Sequence, residues 1–317
     1  MIGQGAVKAS LTRVRGLWSQ HALLWPLSLL RLAIPGRFRS FWRDSAAVVG
    51  LSLITVGLMA ALGSPLLAPH DPTAVNLEQR LLAPNRHFPL GTDHLGRDEL
   101  SRLLYGARTT LVTASVVLAT VMAIACTLGS LAGYYGGWLD TVVMSLVDLL
   151  LAFPALILAV AIVGTLGPSL THAMLALAAV WWAGYARLIR GMVLAVRQRE
   201  FIEAARALGA SDTRIMLHHI LRNTLGPLMV LATLDMGWII LGIAGLNFLG
   251  LGTQPPTPEW GVMLSDGRPF MQSAPRMMLY PGVALCLVVL GFNLLGDGLR
   301  DVLDPSLRDY LPRVKTR

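Results

Sequence analysis

Two carboxylates, Asp148 and Asp235, stand inside otherwise apolar runs of this 317-residue chain, and a third acid opens the polar run Glu203-Ala204-Ala205-Arg206-Ala207-Leu208-Gly209-Ala210-Ser211. An acid at membrane depth is costly, so it pairs with a base or faces a polar path through the bundle. Asp148 falls within reach of Arg187 or Arg190 on the next apolar run, which predicts a structural pair. Asp235 falls about ten residues into its run, about 15 Å deep at about 1.5 Å per residue. It is the stronger candidate for lining a pathway, with a buried helix–helix bond as the alternative. Nucleotide chemistry is not encoded. There is no G-x-x-x-x-G-K-[ST] loop, and the only lysines, Lys8 and Lys315, are terminal. No Ser/His, paired-Asp or H-E-x-x-H arrangement recurs at matching depth, which argues against an intramembrane enzyme. His70, His87 and His94 are scattered, and His218 and His219 point apart on a helix, so no metal site is expected. Cys126 and Cys286 read as small packing residues.

The elements that carry these residues are membrane spans. The chain is 54% hydrophobic and only 14% charged, with mean hydropathy +0.60, and its apolar residues are gathered in blocks. Six blocks are long enough to cross a hydrocarbon core of about 30 Å: residues 46–68, 107–134, 141–164, 170–196, 225–249 and 280–299. The expected fold is therefore all-α and polytopic, with both ends on one side. The net charge of +8 does not point to nucleic acid, because the Arg residues flank apolar blocks and do not form a basic stripe. With the ends inside, seven basic residues precede Asp44, seven lie between Arg187 and Arg222, and five follow from Arg300. The outer loops keep seven and balance them with seven acids. Charge bias thus predicts both termini in the cytoplasm.

Three regions follow: a basic N-terminal segment (1–44) resting on anionic lipid, a membrane domain (45–307) and a short tail (308–317). External loops are expected near 69–106 and 252–279, the first with a short surface helix around 97–104, and a cytoplasmic loop near 197–223. Asp93, Arg97, Asp98 and Arg102 read as a paired surface network, and Trp260 as an aromatic at the outer interface. Asp301 and Asp304 read as partners of Arg300 or Arg308. Gly250 and Gly252 read as the tight exit from the fifth span. In the cytoplasmic loop, residues 199–208 form a helix that Gly209 ends as its C-cap, and Ser211 caps a second helix with Asp212 in its first turn. Ala204 and Ala205 leave a shallow face, and Ile215, Met216, Ile220 and Leu221 supply an apolar anchor.

That loop resembles the "EAA" coupling loop of ABC-importer permeases. Three further stretches extend the likeness: Leu90-Gly91-Thr92-Asp93-His94-Leu95-Gly96-Arg97-Asp98, then Phe248-Leu249-Gly250-Leu251-Gly252 with Pro255-Pro256-Thr257-Pro258-Glu259-Trp260-Gly261, and Asn293-Leu294-Leu295-Gly296-Asp297-Gly298-Leu299-Arg300-Asp301. Together they resemble the C-type permease of the dipeptide/oligopeptide/nickel ABC-importer family over residues 45–307. The chain departs from that pattern at Arg222, where the family usually has a proline that would stop the second helix.

The resemblance implies a type I ABC-importer permease fold in a bacterial inner membrane, with no cofactor of the chain's own. ATP and Mg would be held by two ABC ATPase subunits, which Glu203, Ala204, Ala205, Gly209, Ala210, Ser211, Ile215 and His219 would engage. It also implies a heterodimer with a B-type permease and an extracytoplasmic solute-binding protein that selects cargo. Residues 231–237 look closer to the nickel branch than to the dipeptide one, which leans the cargo toward nickel or a metal chelate, with short peptides close behind. The alternative is a stand-alone secondary transporter or channel, which would survive loss of the ATPase.

Overall fold

The computed structural model describes residues 41–303. The basic N-terminal segment up to residue 40, the tail, Asp304 and Arg308 lie outside the described residues. Among the described residues the chain is helical, with a single isolated bridge between Thr92 and Asp98 and no strand. In chain order the helices are α1 (Ser45–Leu67), α2 (Glu99–Tyr135), α3 (Gly137–Leu151), α4 (Ala155–Leu166), α5 (Leu170–Arg197), α6 (Glu200–Ala207), α7 (Asp212–Phe248), α8 (Trp260–Gly267) and α9 (Arg276–Leu303). Helices α1, α2, α5, α7 and α9 are each long and apolar enough to cross a bilayer. The pair α3 and α4 makes a sixth crossing, broken by a 90° bend.

Helices can approach closely in a membrane where side chains are small. Gly129 and Gly133, one turn apart on α2, lie against α5. A Cβ at either would fall 2.6 Å from the Ala186 carbonyl oxygen and 2.9 Å from that of Arg190. Both chains of contacts ascend together, so α2 and α5 are parallel and form the core pair. Gly50 of α1 faces the backbone of α9, where a Cβ would fall 2.7 Å from Leu295 N and 2.8 Å from the Gly291 oxygen. Helix α9 runs antiparallel to α1 and also to α7, where Gly296 meets Leu234 and Gly237 meets Val289. The start of α1, the end of α9, the end of α2 and the α5–α7 connection therefore share one side. The loop before α2, α8 and the start of α9 share the other.

Three boundaries differ from the sequence expectation. The third span is not continuous. Phe153-Pro154 stops it, because proline removes an N–H and holds the preceding residue out of the helical region. The expected surface helix near 97–104 is instead the first turns of α2, which Asp98 caps by accepting from Ser101 N at 2.9 Å. The fifth span begins at Asp212, not near 225. Residues Ile215–Ile220 pass through a π-helical stretch and Leu221–Phe248 continue as α-helix. With Arg222 in place of proline, nothing interrupts the ladder there.

Candidate functional site

The elbow between α5 and α7 is built as its sequence suggests at the cap and differently beyond it. Helix α6 ends in a Schellman arrangement. Gly209 N donates to the Arg206 oxygen at 3.0 Å and Ala210 N to the Ala205 oxygen at 3.1 Å, with Gly209 at φ +83°. Only glycine adopts that conformation without strain. Ser211 then caps α7, its hydroxyl accepting from Arg214 N at 3.4 Å, with Asp212 in the first turn. The second helix is thus the start of the fifth span itself, so the elbow is rigidly continuous with the span it leads into.

The candidate coupling residues divide into two groups. Glu203, Ala204, Gly209 and Ser211 are exposed, and Ala205 and Ala210 are half-buried against the core. Ile215 is fully buried, as is Ile220. They anchor the elbow inside this chain, so the expected apolar anchor is turned inward, and Ile215, which the resemblance would set against the ATPase, is not open to a partner. His219 is half-buried and tilted against Phe201 at 6.3 Å. Two residues were missed. Ile202 is completely buried beneath α6, and Leu208 projects at the tip, 87% exposed. The signal for Leu208 was its place immediately before the C-cap glycine, where a helix's own packing has ended.

Of the intramembrane acids, Asp148 forms an ion pair with Arg187, as expected, and Asp140 accepts two hydrogen bonds from Arg190. Both pairs tie α3 to α5. A pair this exposed contributes at most about 1 kcal/mol in water. At membrane depth each unpaired charge would cost about 2.5–3.5 kcal/mol, so pairing there is worth more. Asp148 is thereby occupied structurally. Asp235 is half-buried on α7 with the Tyr185 hydroxyl of α5 beside it. A cavity of about 270 Å³ lies at the break in the third span, with Tyr185 in its wall and Asp235 outside its lining. Its walls are Leu150, Phe153, Trp181, Tyr185, Trp238 and Ile239, among others. The Trp181 ring fills the notch at Gly242, where a Cβ would fall 2.3 Å from Cη2. Irregular backbone at membrane depth is tolerated where it is buried in protein or lines a cavity, and this break lines one.

The opposite end is closed by a buried polar cap. Asp93 accepts from Arg97 Nε at 2.6 Å and faces Arg102 Nε at 3.4 Å, and both arginines reach Asp266 at 3.1 and 3.4 Å. Asp93, Arg97 and Arg102 pair as expected from sequence, whereas Asp98 caps α2 and faces His70 at 3.6 Å, and all four are buried, not on the surface. Asp266, in the last turn of α8, supplies the second acid that lets two arginines sit together. Arg276 donates to the Leu81 and Leu82 oxygens at 2.8 and 2.9 Å, fastening the first external loop to α9. Glu259 caps α8 through Gly261 N at 2.7 Å and Val262 N at 3.1 Å, and accepts from the Thr110 hydroxyl at 2.8 Å. Burial pushes its carboxyl above the ordinary range, opposed by those hydrogen bonds. Trp260 is not an interfacial aromatic. It is buried over Gly106, with Nε1 donating to the Leu103 oxygen at 3.0 Å. Gly250 has φ +77°, and a Cβ on Gly252 would fall 1.8 Å from Asn247 Oδ1, so the tight exit from the fifth span needs both glycines.

Residues 125–309 match the family described as binding-protein-dependent transport system inner membrane component. Residues 29–84 match the N-terminal TM domain of oligopeptide transport permease C. The dipeptide transport system permease protein DppC of Alkalihalophilus pseudofirmus is 46% identical over 86% of this chain and 89% of its own length. The nickel transport system permease protein NikC of Escherichia coli is 44% identical over 84% of this chain and 98% of its own. The glutathione transport system permease protein GsiD of Pectobacterium atrosepticum is 39% identical over 92% and 99%. Among solved structures, a chain of the MetNI methionine ABC transporter in an inward-facing form shares the fold, with TM-score 0.52 and 22% identity over 63% of this chain and 95% of that one.

Proposed function

The chain belongs to the binding-protein-dependent transport permeases of the inner membrane, and we propose that within an ABC importer it supplies one half of the translocation pathway and is driven through its elbow. The observation that carries this is the bare elbow face of Glu203, Ala204, Leu208 and Gly209, capped rigidly and continuous with α5 and α7. Two ATPase subunits, which bind ATP and Mg, receive this face. A B-type permease completes the pathway, and a solute-binding protein delivers cargo to the polar cap. The elbow and the two ends of the chain face the cytoplasm, in keeping with the charge bias of the loops.

Cargo identity is a finer reading. The dipeptide and nickel relatives stand at 46% and 44% identity, too close to rank them. The cavity beside the broken span has apolar and aromatic walls, which favour a solute with apolar surface over a bare hydrated ion. We therefore assign a short peptide or an organic metal chelate as cargo.

Reconstituting the complete transporter in proteoliposomes tests the coupling role. Glu203→Lys is expected to abolish ATP-driven uptake while the chain still inserts and assembles, and undiminished uptake would overturn the reading. For cargo, calorimetry on the cognate binding protein with free Ni²⁺, nickel chelates and dipeptides should show binding only of the latter two classes. Tight binding of free Ni²⁺ without any chelator would remove the cargo assignment and leave the coupling role standing.

A further inference from the structure

Motion of the elbow reaches α5 and α7 through the backbone, but α2 and α3 are not covalently continuous with it. They can follow only across a non-covalent contact. Helix α2 packs on α5 through Gly129 and Gly133, and at its inner end one side chain also bonds to the elbow itself. Tyr134 is buried, and its hydroxyl donates to the Asp212 carboxylate in the first turn of α7. The Arg206 guanidinium of α6 lies beside the same hydroxyl. The guanidinium carbon of Arg197, at the end of α5, lies 5.7 Å from the centroid of the Tyr134 ring. The phenol therefore meets the last residue of the span before the elbow, the elbow helix, and the first turn of the span after it.

Two residues beyond Tyr134 the chain turns at Gly136 and begins α3. Helix α3 is in turn held to α5 by the Arg190–Asp140 and Arg187–Asp148 pairs, and it ends at the break that walls the cavity. A contiguous set of contacts thus runs from the elbow, through one phenol, to the irregular backbone at the pathway.

We propose that Tyr134 is a positioning residue that clasps the elbow to the α2–α3 turn, so that displacement of the elbow is passed to the broken third span. This rests on the coupling role proposed above. It concerns the efficiency with which hydrolysis moves solute, not the docking of the ATPase. Tyr134→Phe keeps the ring, its packing and the Arg197 contact, and removes the hydroxyl's contacts with Asp212 and Arg206.

The measurement is solute moved per ATP hydrolysed, in proteoliposomes bearing the complete transporter. With basal hydrolysis and assembly intact, Tyr134→Phe is expected to lower that ratio about tenfold, the scale of one charge-assisted hydrogen bond. Asp212→Ala should match it, the double variant should lose no more than either alone, and Asp212→Asn, which keeps an acceptor oxygen, should retain most of the ratio. An unchanged ratio in Tyr134→Phe overturns the proposal. If that variant fails to assemble, Asp212 decides: equal ratios for Asp212→Ala and Asp212→Asn overturn it, and loss in the alanine variant alone supports it. Glu203→Lys separates the two readings. Loss of uptake there with an unchanged ratio in Tyr134→Phe removes the clasp alone, whereas undiminished uptake there removes the coupling role on which it rests.

Discussion

Glu259 is an acid buried without a formal countercharge among its contacts, held by one hydroxyl and two backbone N–H groups. Its raised pKa means that the folded cap holds the proton more tightly than the unfolded chain does. Its contribution to stability is complete below the ordinary carboxylate value of 4.5 and is lost as pH rises through the raised value. Glu259→Gln removes the titration and keeps an acceptor for the N–H groups. Its melting temperature in detergent should fall less steeply than the parent's as pH rises from about 5 to about 9. Glu259→Ala leaves the Thr110 hydroxyl and the α8 cap unpartnered and should cost about 1–3 kcal/mol at acid pH and less as pH rises. At this scale the sequence was legible wherever a rule of pairing applies. Asp148 had to find a base, and it found Arg187. It was not legible where the partner is remote. Asp266, far along the chain from Arg97 and Arg102, turns a surface pattern into a buried one, and no local spacing announces that. Trp260 misled for a related reason, since an aromatic beside a span has the same composition whether it faces lipid or a neighbouring helix.

Among the elements, the five uninterrupted spans follow from length and hydropathy, although the second and the fifth begin two or more turns earlier than hydropathy alone marks them. The broken third span does not, although its signal is local. Phe153-Pro154 lies in mid-run, and apolar content on both sides conceals it from any measure of hydropathy. Pro154→Ala restores an N–H and allows the helical conformation at residue 153, so the bent pair can straighten toward one helix. Uptake by the reconstituted transporter should fall several-fold while insertion is unchanged. Full uptake in that variant would show that the bend has no part in the pathway. The elbow was legible up to Gly209 and Ser211, because capping is a short-range matter. Its merger with the fifth span was foreshadowed by Arg222 replacing the proline that would have stopped it.

For the molecule as a whole, the antiparallel pairing of α1 with α9 and of α9 with α7 puts the elbow and the described ends of the chain on one side. We propose, from the distribution of arginines, that this side is the cytoplasmic one. In a background with Cys126 and Cys286 replaced by serine, Leu208→Cys should react with a membrane-impermeant maleimide only when the reagent is admitted inside. Gln254→Cys, exposed on the opposite cap, should react only from outside. Reversed labelling would invert the topology and remove the elbow from reach of any ATPase.

The outer cap fastens both external loops to the helix ends by buried ion pairs and by Arg276 on the Leu81 and Leu82 carbonyls. Severing one buried partner costs about 3–5 kcal/mol, so these ends stay together through a cycle. A bundle stitched at one rim swings about that rim, and its travel increases toward the far end. Leu208, exposed at the tip of the elbow, lies at the end opposite that rim, where a push has leverage.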